Sequence, residues 1–175
     1  MLALLLNQSY LRGRQKLPLA AVRRAARVIS RSLRIKSKQT ISVVFVSERE
    51  IRRLNKHWRS IDKPTDVLSF KLKPGLHDFT IGEVILCLSD IKKHLRKNQN
   101  TREEVWRALI HGILHIYGFD HVKKKDAPIM LKLQEKIFKR IWMLVNYIKV
   151  FVMPFAALGE CTRQNKAFEY NFWSL

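Results

Sequence analysis

Three histidines fall within one eleven-residue stretch, His111-Gly112-Ile113-Leu114-His115-Ile116-Tyr117-Gly118-Phe119-Asp120-His121. His111 and His115 are four apart, so on an α-helix their imidazoles leave the same face, roughly 6 Å apart along the axis. Gly118 can take the φ > 0 conformation that ends a helix and turns the chain back, bringing His121 toward the pair. Three neutral imidazoles on one side of an ion, with a position left to water, is how a catalytic zinc is held. A zinc in that setting lowers the pKa of its water to about 7 and polarises a phosphoryl oxygen. A lone histidine on a helix is ordinarily a packed or solvated residue, but these are three of the chain's six, at metal-ligand spacing. Zinc peptidases reading HExxHxxGxxH share the spacing and need a Glu directly after the first His as general base. Gly112 occupies that place, which argues against a peptidase.

The elements that must position these residues are legible around them. Thr101-Arg102-Glu103-Glu104 is a capping-box pattern that starts a helix running from about 102 to 117. Val105, Trp106, Ala108, Leu109, Ile110, Ile113, Leu114 and Ile116 make it apolar nearly all round, as expected of a buried central helix. Upstream, residues 2–6 read as a short strand. Residues 18–34 read as a helix with Pro18 in its first turn and Leu19, Val22, Ala26, Ile29 and Leu33 facing the core. Ile41 to Val46 alternates as a strand. Ser47-Glu48-Arg49-Glu50 opens a second helix to about Trp58, and residues 59–64 form a polar loop. Strands are expected at 66–71 and 81–88, separated by a turn at Pro74-Gly75, and a helix capped by Ser89 or Asp90 to about Lys97. A last helix starts at Asp126, with Met130, Leu133, Ile137, Phe138, Ile141, Leu144, Val145 and Ile148 as its buried stripe.

Charge narrows the partner. The 175 residues hold 34 Lys+Arg against 14 Asp+Glu, a net charge of +20, which favours a polyanion, nucleic acid before an anionic membrane surface. Arg23, Arg24, Arg27, Arg31 and Arg34 crowd the outer face of the first helix with no acid at i±4, and like-charge repulsion there favours a phosphate-facing role. Two cysteines make neither a disulfide framework nor a cysteine zinc site, and fit a reducing, cytoplasmic setting. Ile141 to Leu158 is apolar except for Asn146 and Lys149. Lys149 and Pro154 weaken a membrane-spanning reading, so a long helix packed on the domain is favoured over membrane contact by the tail.

HGILHIYGFDH resembles the HGxLHLxGYDH signature of the YbeY family of bacterial endoribonucleases, also described as rRNA maturation factors. Leu54-Asn55-Lys56-His57-Trp58-Arg59 followed by Pro64-Thr65-Asp66-Val67-Leu68-Ser69-Phe70 is similar to the family's Asn…Arg segment and TDVLSF. Ile81-Gly82-Glu83-Val84 is a weaker match, and Met130 with Gln134-Glu135 fits the family's last helix. The resemblance implies a zinc-dependent endoribonuclease on single-stranded RNA. Its role would be maturation of the small-subunit rRNA 3' end and ribosome biogenesis, with the small ribosomal subunit and its proteins as partners. It also implies that Arg59 is the catalytic cation: its family counterpart is implicated in activity, and a guanidinium suits phosphate oxygens.

The expectation is a single α+β domain: a small mixed β-sheet packed with about five helices, the metal-binding helix buried centrally. Residues 1–145 form the YbeY-like domain and 146–175 a C-terminal tail without family resemblance. One zinc per chain is held by His111, His115 and His121. Asp120, Asp66 and Glu104 are candidates to orient a ligand histidine, although Asp66 reads equally as capping the turn after Pro64. The rival readings are a non-catalytic ribosome assembly factor with a structural zinc, and a metal hydrolase of another substrate class, which the charge and Gly112 disfavour.

Overall fold

A computed structural model of the chain describes residues 1–73, 79–121 and 126–151, the last six of these as backbone only. The elements follow the order β1 (Leu2–Asn7), α1 (Leu19–Ser32), β2 (Gln39–Phe45), α2 (Glu48–Arg59), β3 (Val67–Lys71), β4 (Thr80–Leu86), α3 (Leu88–Lys93), α4 (Thr101–Ile116) and α5 (Ala127–Phe151). The sheet is mixed, in the order β1-β2-β4-β3. β1 pairs parallel with β2 and β2 with β4, whereas β3 runs antiparallel to β4. The parallel pairs need crossover connections, and α1 supplies the first of them.

Strand alternation divides the apolar side chains between two layers. Ile41, Val43, Phe45, Val84 and Leu86 join one large core with α1, α4 and α5. Ile85 and Cys87 point the other way and meet Ile51 of α2 and Leu68 of β3 in a smaller cluster. α4 lies between the sheet and α5, with Trp106, Leu109, Ile113 and Leu114 fully buried. Each such side chain contributes about 1.5–3 kcal/mol relative to an exposed one. The mixed-sheet α+β fold with a central histidine-bearing helix is thus the one expected.

Gly112 faces the sheet where α4 packs closely on it. A Cβ built there would stand 2.8 Å from Val84 Cγ1 and 3.2 Å from Val67 Cγ2. The position that a peptidase would fill with glutamate is therefore a packing contact, with no room for a side chain.

Several local expectations are corrected. The α4 cap is Asn100, whose side chain accepts from the Arg102 N–H at 2.8 Å; Thr101 is the first helical residue. Asn is the stronger cap, its carboxamide oxygen reaching the free N–H groups directly. On α1, Ala21 and Ala25 are buried and draw the core face about a quarter turn from Leu19, which is 59% exposed. Arg59 ends α2 instead of opening a loop, and Ser60 stops the helix at φ 59°. α3 is shorter than expected, and Leu144 of α5 is exposed. The turn at Pro74-Gly75, Ile148, Lys149 and the tail beyond Phe151 lie outside the described side chains. Among the described residues, no helix is long and apolar enough to cross a membrane.

Candidate metal centre

α4 sets the first two histidines and its C-terminal turn sets the third. Gly118 takes φ +86°, which glycine adopts at little cost. The Phe119 N–H then reaches the Leu114 carbonyl at 3.0 Å and the Gly118 N–H reaches that of His115 at 2.9 Å, closing the helix end in a Schellman arrangement. This turn returns His121 over the helix. Ring centroids are 4.7 Å apart for His111 and His115, 5.1 Å for His111 and His121, and 5.0 Å for His115 and His121. One nitrogen from each ring falls within 4.8 Å of the others.

The protonation pattern fits a metal ligand set. His111 Nδ1 lies 2.9 Å from the Gln134 carboxamide oxygen. An oxygen only accepts, so Nδ1 carries the proton and Nε2 keeps its lone pair. That Nε2 faces His115 Nε2 at 3.1 Å, a contact that a proton or a shared cation must bridge. Burial holds the His115 pKa below its ordinary 6.5, reinforced by the neighbouring His111 and His121; Asp120 and a backbone hydrogen bond with Phe119 act the other way. A neutral imidazole is the ligating form. Three nitrogen donors, one fixed in tautomer by a buried amide, fit a zinc-like ion.

Arg59 lines the same groove from a different element. Asn55, buried on α2, donates from Nδ2 to the Lys63 carbonyl at 2.8 Å and so ties the following loop to the helix. The exposed Arg59 lines a groove of about 580 Å³ together with the three histidines, Gly112 and residues of β3. A second cavity of about 540 Å³ meets the groove at Thr65, Asp66, Val67 and His111, and includes Gln134.

The three candidate carboxylates make different contacts. Asp66 Oδ1 accepts from the Val67 N–H at 2.9 Å and the Thr65 hydroxyl at 3.1 Å, capping the turn before β3. Asp120 Oδ1 accepts from the His121 N–H at 2.7 Å, bracing the turn through its backbone. Glu104 pairs with Arg107 at 2.7 Å, and Arg107 also binds Glu103 and Glu135 and covers the Phe138 ring. That cluster ties α4 to α5.

Two side chains near the centre escaped the sequence reading as functional. Gln134 was legible as the polar member of an otherwise apolar stripe on α5, between Met130 and Ile137, and a buried amide there needs a partner. Trp58 is 62% exposed beside Phe70, with ring centroids 5.6 Å apart, and both line the groove. An exposed Trp lining such a groove is a stacking surface.

Comparison with known proteins assigns the family. Residues 10–142 match the family model described as Endoribonuclease YbeY. The Endoribonuclease YbeY of Persephonella marina is 42% identical over 106 residues, covering 58% of this chain and 69% of that protein. The protein of the same name from Buchnera aphidicola is 37% identical over 121 residues, covering 67% and 74%. A Thermotoga maritima protein solved in solution superposes with a TM-score of 0.55 at 25% identity, covering 92% of this chain and all of that one. With its histidine motif, its mixed sheet and most of its length matched together, the chain belongs to the Endoribonuclease YbeY family.

Proposed function

We propose that this endoribonuclease is zinc-dependent, cuts single-stranded RNA, and acts in maturation of the small-subunit rRNA 3' end during ribosome biogenesis. The observation that carries the reading is the convergence of His111, His115 and His121 within 4.8 Å in a groove that Arg59 also lines. The three imidazoles would hold the ion. When bound, zinc supplies Lewis-acid stabilisation of phosphoryl charge and activates water at neutral pH.

The chain's own residues do the rest. Gln134 keeps the His111 lone pair available by holding the Nδ1 proton. Arg59, at the end of α2, offers a planar set of donors to phosphate oxygens and to the charge that builds on them in the transition state. Trp58 and Phe70 offer aromatic faces to unpaired bases, which supports a single-stranded substrate. The excess of basic residues supports a polyanionic partner such as rRNA in the small ribosomal subunit. The catalytic domain in this reading is residues 1–145 with a tail at 146–175, and a reducing, cytoplasmic setting accords with two cysteines.

The test is metal analysis of purified protein beside cleavage of defined RNA, small-subunit rRNA included. The wild type should hold about one zinc per chain, and His115→Ala should lose the metal and the cleavage while remaining folded. Full metal retention in His115→Ala would contradict the site. No cleavage by metal-loaded wild type would favour a non-catalytic assembly factor.

A further inference from the structure

α3 and α4 separate the metal side of the molecule from a second recess. Asp90 and His94 of the α3 region, with Glu104 and His111 of α4, line the cavity beside the metal groove. Leu88 and Lys92 of α3, with Arg102 and Val105 of α4, line the other side. There, cavities of about 610 Å³ and 510 Å³ share Arg12, Gln15, Leu88 and Lys92 and so form one trough.

Its charge is one-sided. Arg12, Arg14, Lys92 and Arg102 line it, and no Asp or Glu does. Among the described residues none of these four forms an ion pair, although nearby cations do: Lys93 pairs with Glu48, and Arg107 with Glu103, Glu104 and Glu135. The Arg102 guanidinium donates to the Arg14 carbonyl at 3.2 Å, which draws the two basic segments together. Gathering like charges is unfavourable until an anion enters. The sixteen-residue α4 also opens on the trough through Asn100 and Thr101, adding the positive end of its dipole.

The apolar parts are those of a base-binding groove. Leu17, Leu88 and Val105 line the trough; Trp142 belongs to one of its two cavities and Tyr10, 52% exposed, to the other. Cations that follow a phosphate backbone, combined with aromatic faces for bases, are the recognition elements for single-stranded nucleic acid. We propose that this trough is an accessory binding site for single-stranded RNA, holding a segment of the substrate outside the metal groove. The proposal rests on the chain's being a ribonuclease. Arg102 and His111 are nine residues apart on α4, roughly 14 Å along its axis, so a strand of several nucleotides can engage both regions and a trinucleotide engages one.

The test uses the full chain, zinc-loaded, with Arg12→Glu, Arg14→Glu and Lys92→Glu combined. All three side chains are exposed, so melting temperature and metal content should match the wild type. For a twelve-nucleotide oligouridylate, affinity should fall about tenfold or more. The slope of log K against log salt should become shallower by about 2, at roughly 0.7 per lost phosphate contact. KM for cleavage of a twelve-nucleotide RNA should rise with kcat held within twofold, and KM for a trinucleotide should not change. Lys92→Glu alone should flatten the slope by about 0.7, and Arg12→Lys with Arg14→Lys should retain the affinity. An unchanged slope and affinity in the triple variant, with the wild type still cleaving, would overturn this site alone and leave the surface to an acidic protein partner. A wild type that neither binds nor cleaves RNA would overturn the ribonuclease reading and this site with it.

Discussion

The tautomer of His111 depends on one amide. Gln134 is 8% exposed and accepts the Nδ1 proton at 2.9 Å, an interaction between residues 23 apart in sequence. In Gln134→Leu the ring would lose its orienting partner and keep a partly buried N–H without that acceptor. Zinc affinity should therefore fall about 10- to 100-fold, as for other partners of metal-bound histidines, whereas Gln134→Glu, which retains an acceptor, should recover most of it. A competition titration with a chelator measures this; equal affinities in wild type and Gln134→Leu would show that the hydrogen bond sets nothing. The three ligand candidates were legible because short spacing and a glycine turn are written in the chain. Their orienting partner was legible only as a polar residue within the apolar stripe of α5; that it meets His111 depends on the tertiary packing of α5 on α4. The same holds for Asp66: its sequence position allowed either an orienting role or a turn cap, and two local hydrogen bonds decide for the cap.

At the scale of elements, the seating of α4 on the sheet sets where the histidines stand. Alanine is the better helix former by about 0.8–1.0 kcal/mol, so a solvent-facing Gly112→Ala would stabilise. Here the new methyl would meet Val84 Cγ1 at 2.8 Å, and a β-branched neighbour packed in the core yields little. Overpacking of this kind costs about 1–3 kcal/mol, so the net effect should be destabilising, read as a lower urea midpoint with unchanged m-value. A higher midpoint would mean the interface has slack. Helix types and order were legible from periodicity, and so was the burial of α4. The exposed Leu19 was not, because a stripe of large residues hides how far Ala21 and Ala25 shift the packed face. Nor was Arg59 as a helix terminus, since the stop is made by Ser60 in the left-handed region, a conformation its residue type does not announce.

For the whole molecule, net charge predicts salt-dependent RNA binding, and the fold shows where charge collects. Arg23, Arg27 and Arg31 are exposed on α1, and none forms an ion pair among the described residues. If they neutralise phosphates, replacing all three with Gln should make the slope of log K against log salt shallower by about 2, at roughly 0.7 per contact on a single strand. Filter binding across a salt series measures it, and an unchanged slope would assign the α1 face to solubility alone. Sequence alone gave the sign of the charge and its density on α1. It could not place Arg59, from α2, in one groove with the histidines of α4, because that arrangement depends on how both helices pack about β3.

That Arg59 acts on the phosphate beside the histidines, in the groove they share, can be tested directly. Arg59→Ala leaves all three imidazoles intact and should keep its zinc. If the guanidinium stabilises charge on the phosphate in the transition state, its loss should cost about 2.7–4 kcal/mol, or roughly 100- to 1000-fold in rate, by analogy with an oxyanion donor. Affinity should fall far less, since many other cations hold the backbone. The decisive measurement is single-turnover cleavage of a single-stranded RNA by metal-loaded wild type and Arg59→Ala, with binding measured in parallel. A rate lower by at least two orders of magnitude at nearly unchanged affinity is the predicted result, and equal cleavage rates would contradict it.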